Sequence, residues 1–218
     1  MRLLKIFRSK LFVASAATLL LFGGSFGAYE AYLQLSGNFH TVIPGELYRS
    51  AQPTSAALES YVREHGIKTV LNLRGSTDAK WYKQELADAQ RLGVEHIDFR
   101  MSAARVLSRE QADRLIEIMR SAPKPMLIHC QSGADRTGLV SLIYSHQIAH
   151  IDEDTAERQL SFLYGHVAIP HFSRTYAMDR SWADLEKYYN VEPVVGANPA
   201  SGPRDTGAEV HVVEGTSG

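Results

Sequence analysis

Short apolar runs alternate with helix-period stretches through the middle of the chain. Strand-like runs occupy 69–73, 95–99 and 126–129, and helical stretches near 79–92 and 108–121 lie between them. Strands that alternate with helices favour a parallel sheet, because parallel neighbours need a crossover connection. We therefore predict an α/β domain with a central, mainly parallel, twisted sheet flanked by helices.

Further helices are expected after the last of these strands. The run 138–144 is apolar enough to be a helix buried against the sheet, and two more helices are predicted near 152–164 and 171–188. Ser108, with a glutamine three residues on, is typical of a capped helix start. The folded domain is expected to span residues 36–190.

Residues 1–35 have a different pattern. Four basic residues precede an uncharged, largely apolar run from Leu11 to Tyr29. A helix of that length is comparable to a hydrocarbon core of ~30 Å, so we predict an uncleaved, single-pass membrane anchor. Gly23 and Ser25 leave a cleaved signal as the alternative. The basic flank predicts a cytoplasmic N-terminus, with the domain on the periplasmic side of an inner membrane, or secreted or periplasmic after cleavage.

The end of the chain, residues 191–218, is rich in proline, glycine, serine and threonine. It contains too few apolar side chains to offset the entropy lost on ordering. We predict that this segment is a disordered tail.

Composition narrows the classes of function. A net charge of −1 and a pI near 6.8 are not typical of a nucleic-acid-binding surface, so no nucleic-acid partner is expected. The single cysteine excludes an internal disulfide and a zinc site built from several thiolates. The sequence has no His-Glu-x-x-His pattern, and neither a metal nor a cofactor is expected.

That cysteine, Cys130, directly follows an apolar strand, and Arg136 comes six positions later where a helix begins. The free amides at a helix start converge on an anion held in such a loop, and a guanidinium can hold two phosphoryl oxygens. Nucleophilic chemistry needs a thiolate, whereas an ordinary cysteine titrates at about 8.5; amides, helix dipole and guanidinium all favour the anion. Gly133 would allow a turn that a Cβ would block.

The loop resembles the signature of the protein tyrosine and dual-specificity phosphatase superfamily, in the residues His129-Cys130-Gln131-Ser132-Gly133-Ala134-Asp135-Arg136-Thr137-Gly138. Segments 48–53 and 72–75 also resemble bacterial dual-specificity-like enzymes, so the likeness covers residues 40–185. It implies that Cys130 is the nucleophile, Arg136 the phosphate clamp and Thr137 the hydroxyl beside the sulfur. Phosphate would lie on residues 131–136, supported by His129, Gly138 and Arg74.

Two aspartates compete to protonate the leaving group. Asp98 ends a strand 32 residues before Cys130, a spacing similar to that of the mobile-loop acid in dual-specificity enzymes, but residues 100–107 contain no aspartate. Asp135 lies inside the loop, and the order Asp-Arg-Thr resembles myotubularin-like lipid phosphatases. We favour Asp135 and keep Asp98 as the alternative.

The expected function is hydrolysis of phosphate monoesters through a phosphocysteine, on phosphotyrosine in proteins. A phospholipid, phosphoinositide or envelope glycolipid is the alternative substrate, and the loop's lack of lysine argues against inositol polyphosphates. Two other classes stay open: an arsenate-reducing or sulfur-transferring enzyme, and a phosphate-binding module without turnover. Additional cationic contacts could come from four arginines outside the loop, namely Arg49, Arg74, Arg100 and Arg105.

Overall fold

The centre of the molecule is a five-stranded sheet. The computed structural model describes residues 2–191, and its strands are β1 His40–Ile43, β2 Leu47–Ser50, β3 Thr69–Asn72, β4 Glu95–Asp98 and β5 Met126–His129. Their order is β1-β2-β5-β3-β4, in which β1 is antiparallel to β2 and all other neighbours are parallel. The predicted mainly parallel α/β sheet is confirmed, and β5 lies at its middle.

Helices precede, connect and follow the strands. Their bounds are α1 Arg2–Leu35, α2 Ser55–His65, α3 Lys80–Leu92, α4 Arg109–Ser121, α5 Asp135–Gln147, α6 Glu153–Glu157 and α7 Tyr176–Val191, with a 3-10 turn at Phe162–Tyr164. The capping box predicted at Ser108 forms, because its hydroxyl accepts from the amide of Gln111, whose side chain accepts from the amide of Ser108.

Strand β5 divides the core into two layers. Met126 and Ile128 pack with the side chains of α4 and α5, whereas Leu127 packs with Leu58 and Val94 on the other face. This alternation is the period of two expected of a strand. Burying each such side chain contributes about 1.5–3 kcal/mol, so both faces hold the C-terminal end of β5 in place.

The interpretation of 152–164 as one helix is wrong. α6 ends at Glu157, and Ser161 has an extended backbone before the 3-10 turn, which Gly165 closes with φ +81°. The helix expected from 171 begins only at Tyr176, because His171 adopts a left-handed φ of +66° that a right-handed helix excludes. Strands β1 and β2 and helix α2 were missed.

The N-terminal segment is helical, as predicted, in α1, but the structure does not support its prediction as a membrane anchor. Its C-terminal part packs on the domain: Leu33 is buried, Phe26 and Tyr29 stack on Phe162, and the Tyr29 hydroxyl donates to the Leu163 carbonyl at 2.8 Å. Within the part of the chain that the structure describes, no helix combines the length and the apolar character needed to cross a membrane. The predicted transmembrane anchor is therefore not supported. The predicted tail beyond Val191 lies outside the described residues.

Candidate active site

The loop between β5 and α5 turns its carbonyl oxygens away from its centre. Each is held by a donor from elsewhere or from α5: Gln131 O accepts from Gln52 N (3.2 Å), Ser132 O from Asn38 Nδ2 (2.9 Å), Gly133 O from Arg49 Nη2 (2.8 Å) and Ala134 O from Gly138 N (2.8 Å). Within the described residues, the amides of 131–135 donate to no acceptor. Consecutive free amides of this kind form an anion-binding concavity.

Arg49 is the main support of this loop. It is fully buried, donates to the carbonyl and side chain of Gln159 at 2.6 and 2.9 Å, and lies 3.9 Å from the ring centre of Tyr164. Burial lowers its pKa to about 10, which leaves the guanidinium charged at neutral pH. From sequence Arg49 was one of four arginines that could supply additional cationic contacts; in the structure its guanidinium donates to the carbonyls of Gly133 and Gln159.

Two glycines are required by close approach. Gly133 has φ +74°, and a Cβ there would lie 2.6 Å from the amide nitrogen of Ala51. A Cβ on Gly138 would lie 2.9 Å from the carbonyl oxygen of Gln159. Because glycine has no Cβ, the segment after α6 can pack closely against α5 here. The predicted loop turn at Gly133 is confirmed.

The three predicted reacting residues lie at the two ends of the loop, with Cys130 directly after β5 and Arg136 and Thr137 in the first turn of α5. Cys130 is 1% exposed, at the end of the central strand. Arg136 Nε and Thr137 Oγ1 are buried, and neither has a hydrogen-bond partner among the described residues. A buried polar atom without a partner costs about 1–3 kcal/mol, and phosphoryl oxygens are acceptors that would satisfy the guanidinium.

Arg136 also lies in the wall of a cavity of about 750 Å³. The other residues lining this cavity are Arg74, Arg100, Met101, Ser102, Ala103, Ala104, Arg105, Val106, Leu107 and Gln111. Three of the four arginines proposed from sequence as additional cationic contacts are therefore here. Arg49 is the exception.

The sequence matches the family described as DSP-PTPase phosphatase fused to NAD+ kinase over residues 39–180. The chain belongs to this family. The matched range contains the whole loop, the buried Arg49 and the cavity wall, so the site described above is that of a dual-specificity-type cysteine phosphatase. Phosphatases of this superfamily are hydrolases of phosphate esters.

Two solved structures, SIW14 and PTPMT1, share this fold, and TpbA also matches the chain. The core catalytic domain of the PP-IP phosphatase SIW14 from S. cerevisiae has 19% identity and a TM-score of 0.51, covering 68% of this chain and 93% of its own. PTPMT1 has 12% identity and a TM-score of 0.51, covering 71% and 99%. TpbA from P. aeruginosa has 25% identity and a TM-score of 0.49, covering 66% and 84%. No curated protein matched the sequence.

A buried carboxylate orders the base of the phosphatase loop. Glu85 on α3 pairs through Oε1 with His129 Nε2 at 3.1 Å and with His96 Nε2 at 2.8 Å. Burial raises the pKa of Glu85, but the hydrogen bonds from the two histidines outweigh this and lower it to about 2. Gln52 donates to the same carboxylate and accepts from Arg74 at 2.9 Å, so one network joins His129 to the cavity wall.

Sequence reasoning assigned His129 a supporting role but missed Glu85. The signal was present, since Tyr82, Glu85 and Ala89 follow the spacing of one helix face and all three are buried. A carboxylate on such a face needs partners, because an unpaired buried charge is unfavourable.

The two candidate acids have different surroundings, and neither lines the described cavity. Asp135 Oδ1 pairs with His166 Nδ1 at 2.8 Å, and His166 Nε2 pairs with Asp179 on α7 at 3.1 Å. Burial lowers the pKa of His166, but the two carboxylates outweigh this and raise it to about 9. His166 is therefore protonated at neutral pH. Sequence reasoning missed this residue.

Asp98 lies at the end of β4, one strand away from β5 across β3. It accepts from Asn72 Nδ2 at 2.7 Å and from the hydroxyl of Tyr82. The hydrogen bond to this carboxylate raises the pKa of Tyr82 to about 12. Asp98 is thus tied to α3 and β3 and precedes the cavity wall that begins at Arg100.

Proposed function

We propose that this chain hydrolyses phosphate monoesters through a phosphocysteine, with phosphotyrosine in proteins as its substrate. The supporting observation is the ring of free amides at 131–135 beside the unpartnered Nε of Arg136. Preorganised donors of this kind stabilise the charge of a transferring phosphoryl group without reorganising. Cys130, the nucleophile in this proposal, is buried and directly follows a strand that is buried on both faces.

The reaction takes two displacements. Cys130 Sγ attacks phosphorus, an S–P bond forms, and the ester P–O bond breaks as the leaving oxygen takes a proton. Water then attacks phosphorus and gives a proton to the carboxylate that acted as the acid, the S–P bond breaks, and inorganic phosphate leaves while the thiolate is regenerated. We assign Arg136 to the equatorial oxygens in both steps, and the buried Thr137 hydroxyl to the sulfur when it leaves.

The leaving-group proton comes in this proposal from Asp135. Its position next to Arg136 supports this role, and His166, protonated at neutral pH, can return a proton through the 2.8 Å contact. Asp98 is the alternative, supported by its place just before the cavity wall.

The depth of Cys130 below the protein surface favours an aryl ester as substrate. Cys130 is 1% exposed, so the scissile phosphate must be carried below the surface, which a phenol ring does better than a serine side chain. The cavity wall supplies apolar contacts for a ring from Met101, Val106 and Leu107.

A phospholipid or glycolipid monoester is the second candidate. It is favoured by apolar side chains exposed within residues 162–172: Phe162, which stacks on α1, is 47% exposed, Ile169 56% and Phe172 88%. Exposed clusters of this kind are typical of interaction with partners or lipid surfaces. The charge pattern of residues 1–35 supports action on the exported side, which fractionation of the tagged full-length chain would test.

The test is steady-state hydrolysis by the full chain of nitrophenyl phosphate, phosphotyrosine peptides, phosphoserine peptides and phosphorylated lipids in vesicles. We expect turnover of the phosphotyrosine peptides and trapping of a 32P-labelled cysteine on rapid quenching. Binding of phosphate without turnover would identify a silent module, and thiosulfate sulfurtransferase activity alone would overturn the proposal.

A further inference from the structure

The cavity beside the phosphate loop has an unusual charge. Four of its lining residues are arginines, namely Arg74, Arg100, Arg105 and Arg136, and its described lining contains no carboxylate. The whole chain carries a net charge of −1, so this positive charge is local to the cavity. A cleft lined by one sign of charge raises the local concentration of ligands of the opposite sign.

The arginines of the cavity are not neutralised by the protein. Arg74 donates to Gln52 and stacks over Trp81 at 3.7 Å, and Arg100 donates to the carbonyl of Ser76. Among the residues that the structure describes, none of the four guanidiniums has a carboxylate within 4.0 Å. The contacts of Arg74 and Arg100 position these two side chains without a directly paired carboxylate.

One phosphoryl group does not require all of this charge. The free amides of 131–135 and the fork of Arg136 already surround a single phosphate. Arg100 and Arg105 belong to a different segment, residues 100–107, which faces the same cavity from the side of β4. A volume of about 750 Å³ falls within the range of ~300–1,000 Å³ typical of small-molecule sites and is much larger than one phosphate.

The phosphate loop itself carries no cation before Arg136. Its variable positions Gln131, Ser132 and Ala134 are neutral and Asp135 is acidic. From sequence this composition argued against inositol polyphosphates, while arginines outside the loop could add cationic contacts. The fold provides such cations, because Arg74, Arg100 and Arg105 line the same cavity as Arg136.

We propose that Arg100 and Arg105, with the polar side chain of Gln111, form a second anion-binding subsite, so that the substrate is a phosphate monoester bearing a second phosphate or carboxylate. The inference rests on the proposed phosphatase function. Planar guanidiniums bind phosphate and carboxylate in the same bidentate geometry. In a phosphotyrosine protein the second anion is an acidic or phosphorylated neighbour, and in a small molecule it is a second phosphate.

The test compares two aryl phosphates that differ only in a second anion that cannot be hydrolysed. One is 4-methylphenyl phosphate and the other is 4-(phosphonomethyl)phenyl phosphate, whose leaving phenols carry similar para substituents. We expect the full chain to show a kcat/KM at least ~10-fold higher for the phosphonate, equivalent to about 1.4 kcal/mol. Arg105→Gln should reduce the ratio of the two kcat/KM values at least fivefold.

Two further variants keep the result interpretable. Arg114→Gln removes the same charge from an exposed position of α4 outside the cavity lining, and its ratio should equal that of the wild type. If Arg105→Gln does not fold, Arg100→Gln tests the subsite independently, because it also removes a contact to the second anion. In the wild type, added salt should lower the ratio, because it screens the charge of a partly open site.

The outcomes separate the two claims. Absence of hydrolysis of either ester would overturn the proposed function. Hydrolysis of both with equal kcat/KM would leave the phosphatase intact and overturn the subsite. A preference for Asp-phosphotyrosine over Asn-phosphotyrosine peptides would support the subsite and assign the second anion to a protein; a preference confined to the phosphonate and a polyol bisphosphate would support it and assign a small molecule.

Discussion

The two walls of the cavity are built in different ways. The phosphate loop is held through its carbonyls by Arg49, Gln52 and Asn38, which come from other parts of the chain. The opposite wall, residues 100–107, is joined to the rest by fewer bonds, among them Met101 N to Leu73 O at 3.3 Å and Leu107 N to Ser181 Oγ at 2.9 Å. We infer that the fixed loop performs the chemistry and that the arginine-bearing wall selects the substrate.

The largest expected effect is on the chemistry of the loop. Cys130→Ser should lower kcat on nitrophenyl phosphate by on the order of 10⁴-fold or more, because a serine hydroxyl is a far weaker nucleophile at neutral pH. The free amides stay in place, so phosphate should still raise the Tm of this variant. Residual kcat near the wild-type value would show that the sulfur is not the nucleophile.

The next prediction asks which residue protonates the leaving group: Asp135 in the phosphate loop, or Asp98 just before residues 100–107. We expect Asp135→Asn to lower kcat by about 10²–10⁴-fold on alkyl phosphates and much less on nitrophenyl phosphate, whose leaving group hardly needs a proton. Asp98→Asn, measured on the same pair of esters, is the matched control. The selective loss in Asp98→Asn instead would place the acid beside residues 100–107.

The rigidity of the loop depends on Arg49. Arg49→Lys keeps a charge but loses the fork that donates to Gly133 and Gln159, and we expect kcat/KM to fall by about 10²-fold. Buried carbonyls left without donors should also lower the free energy of unfolding by about 2–4 kcal/mol. Arg63→Lys, at an exposed position on α2, should change neither quantity in urea unfolding and steady-state assays.

The smallest effect concerns the pH dependence of stability. The folded-state pKa of His166, about 9, lies above its ordinary value of 6.5, because of Asp135 and Asp179. This stabilisation is present in full below about pH 6.5 and is lost as pH rises through about 9. Since Asp179 is partly exposed and its charge is screened, we expect about 1–2 kcal/mol.

His166→Gln provides the measurement, since it removes the titrating group. The difference in unfolding free energy between wild type and variant should be largest near about pH 6 and smallest near about pH 10. Glu30 is also close, because its raised pKa arises from burial and from the charge of Asp135, so Glu30→Gln should be measured beside it. A difference that does not vary with pH would show that the pKa of His166 is the same in the folded and unfolded protein.

The local sequence determined the strand–loop–helix unit from Met126 to Gln147 and supplied Cys130 and Arg136 as its candidate reacting residues. Strand period, helix period, a turn glycine and a helix start are all short-range features, so they can be recognised in the sequence. The interpretation of 152–164 as one helix failed because the 3-10 turn there packs on α1, a contact that helical period alone does not reveal.

Only the tertiary structure decided what surrounds that unit. Arg49 reaches Gly133 across 84 positions, Glu85 reaches His129 across 44, and His166 reaches Asp135 across 31. In the sequence alone, such charged residues cannot be distinguished from solvated surface groups. Their pairing is determined by the fold, because a buried charge is unfavourable without a partner. For the same reason the sequence could supply Arg100 and Arg105 as candidates, while their common cavity with Arg136 became visible only in the fold.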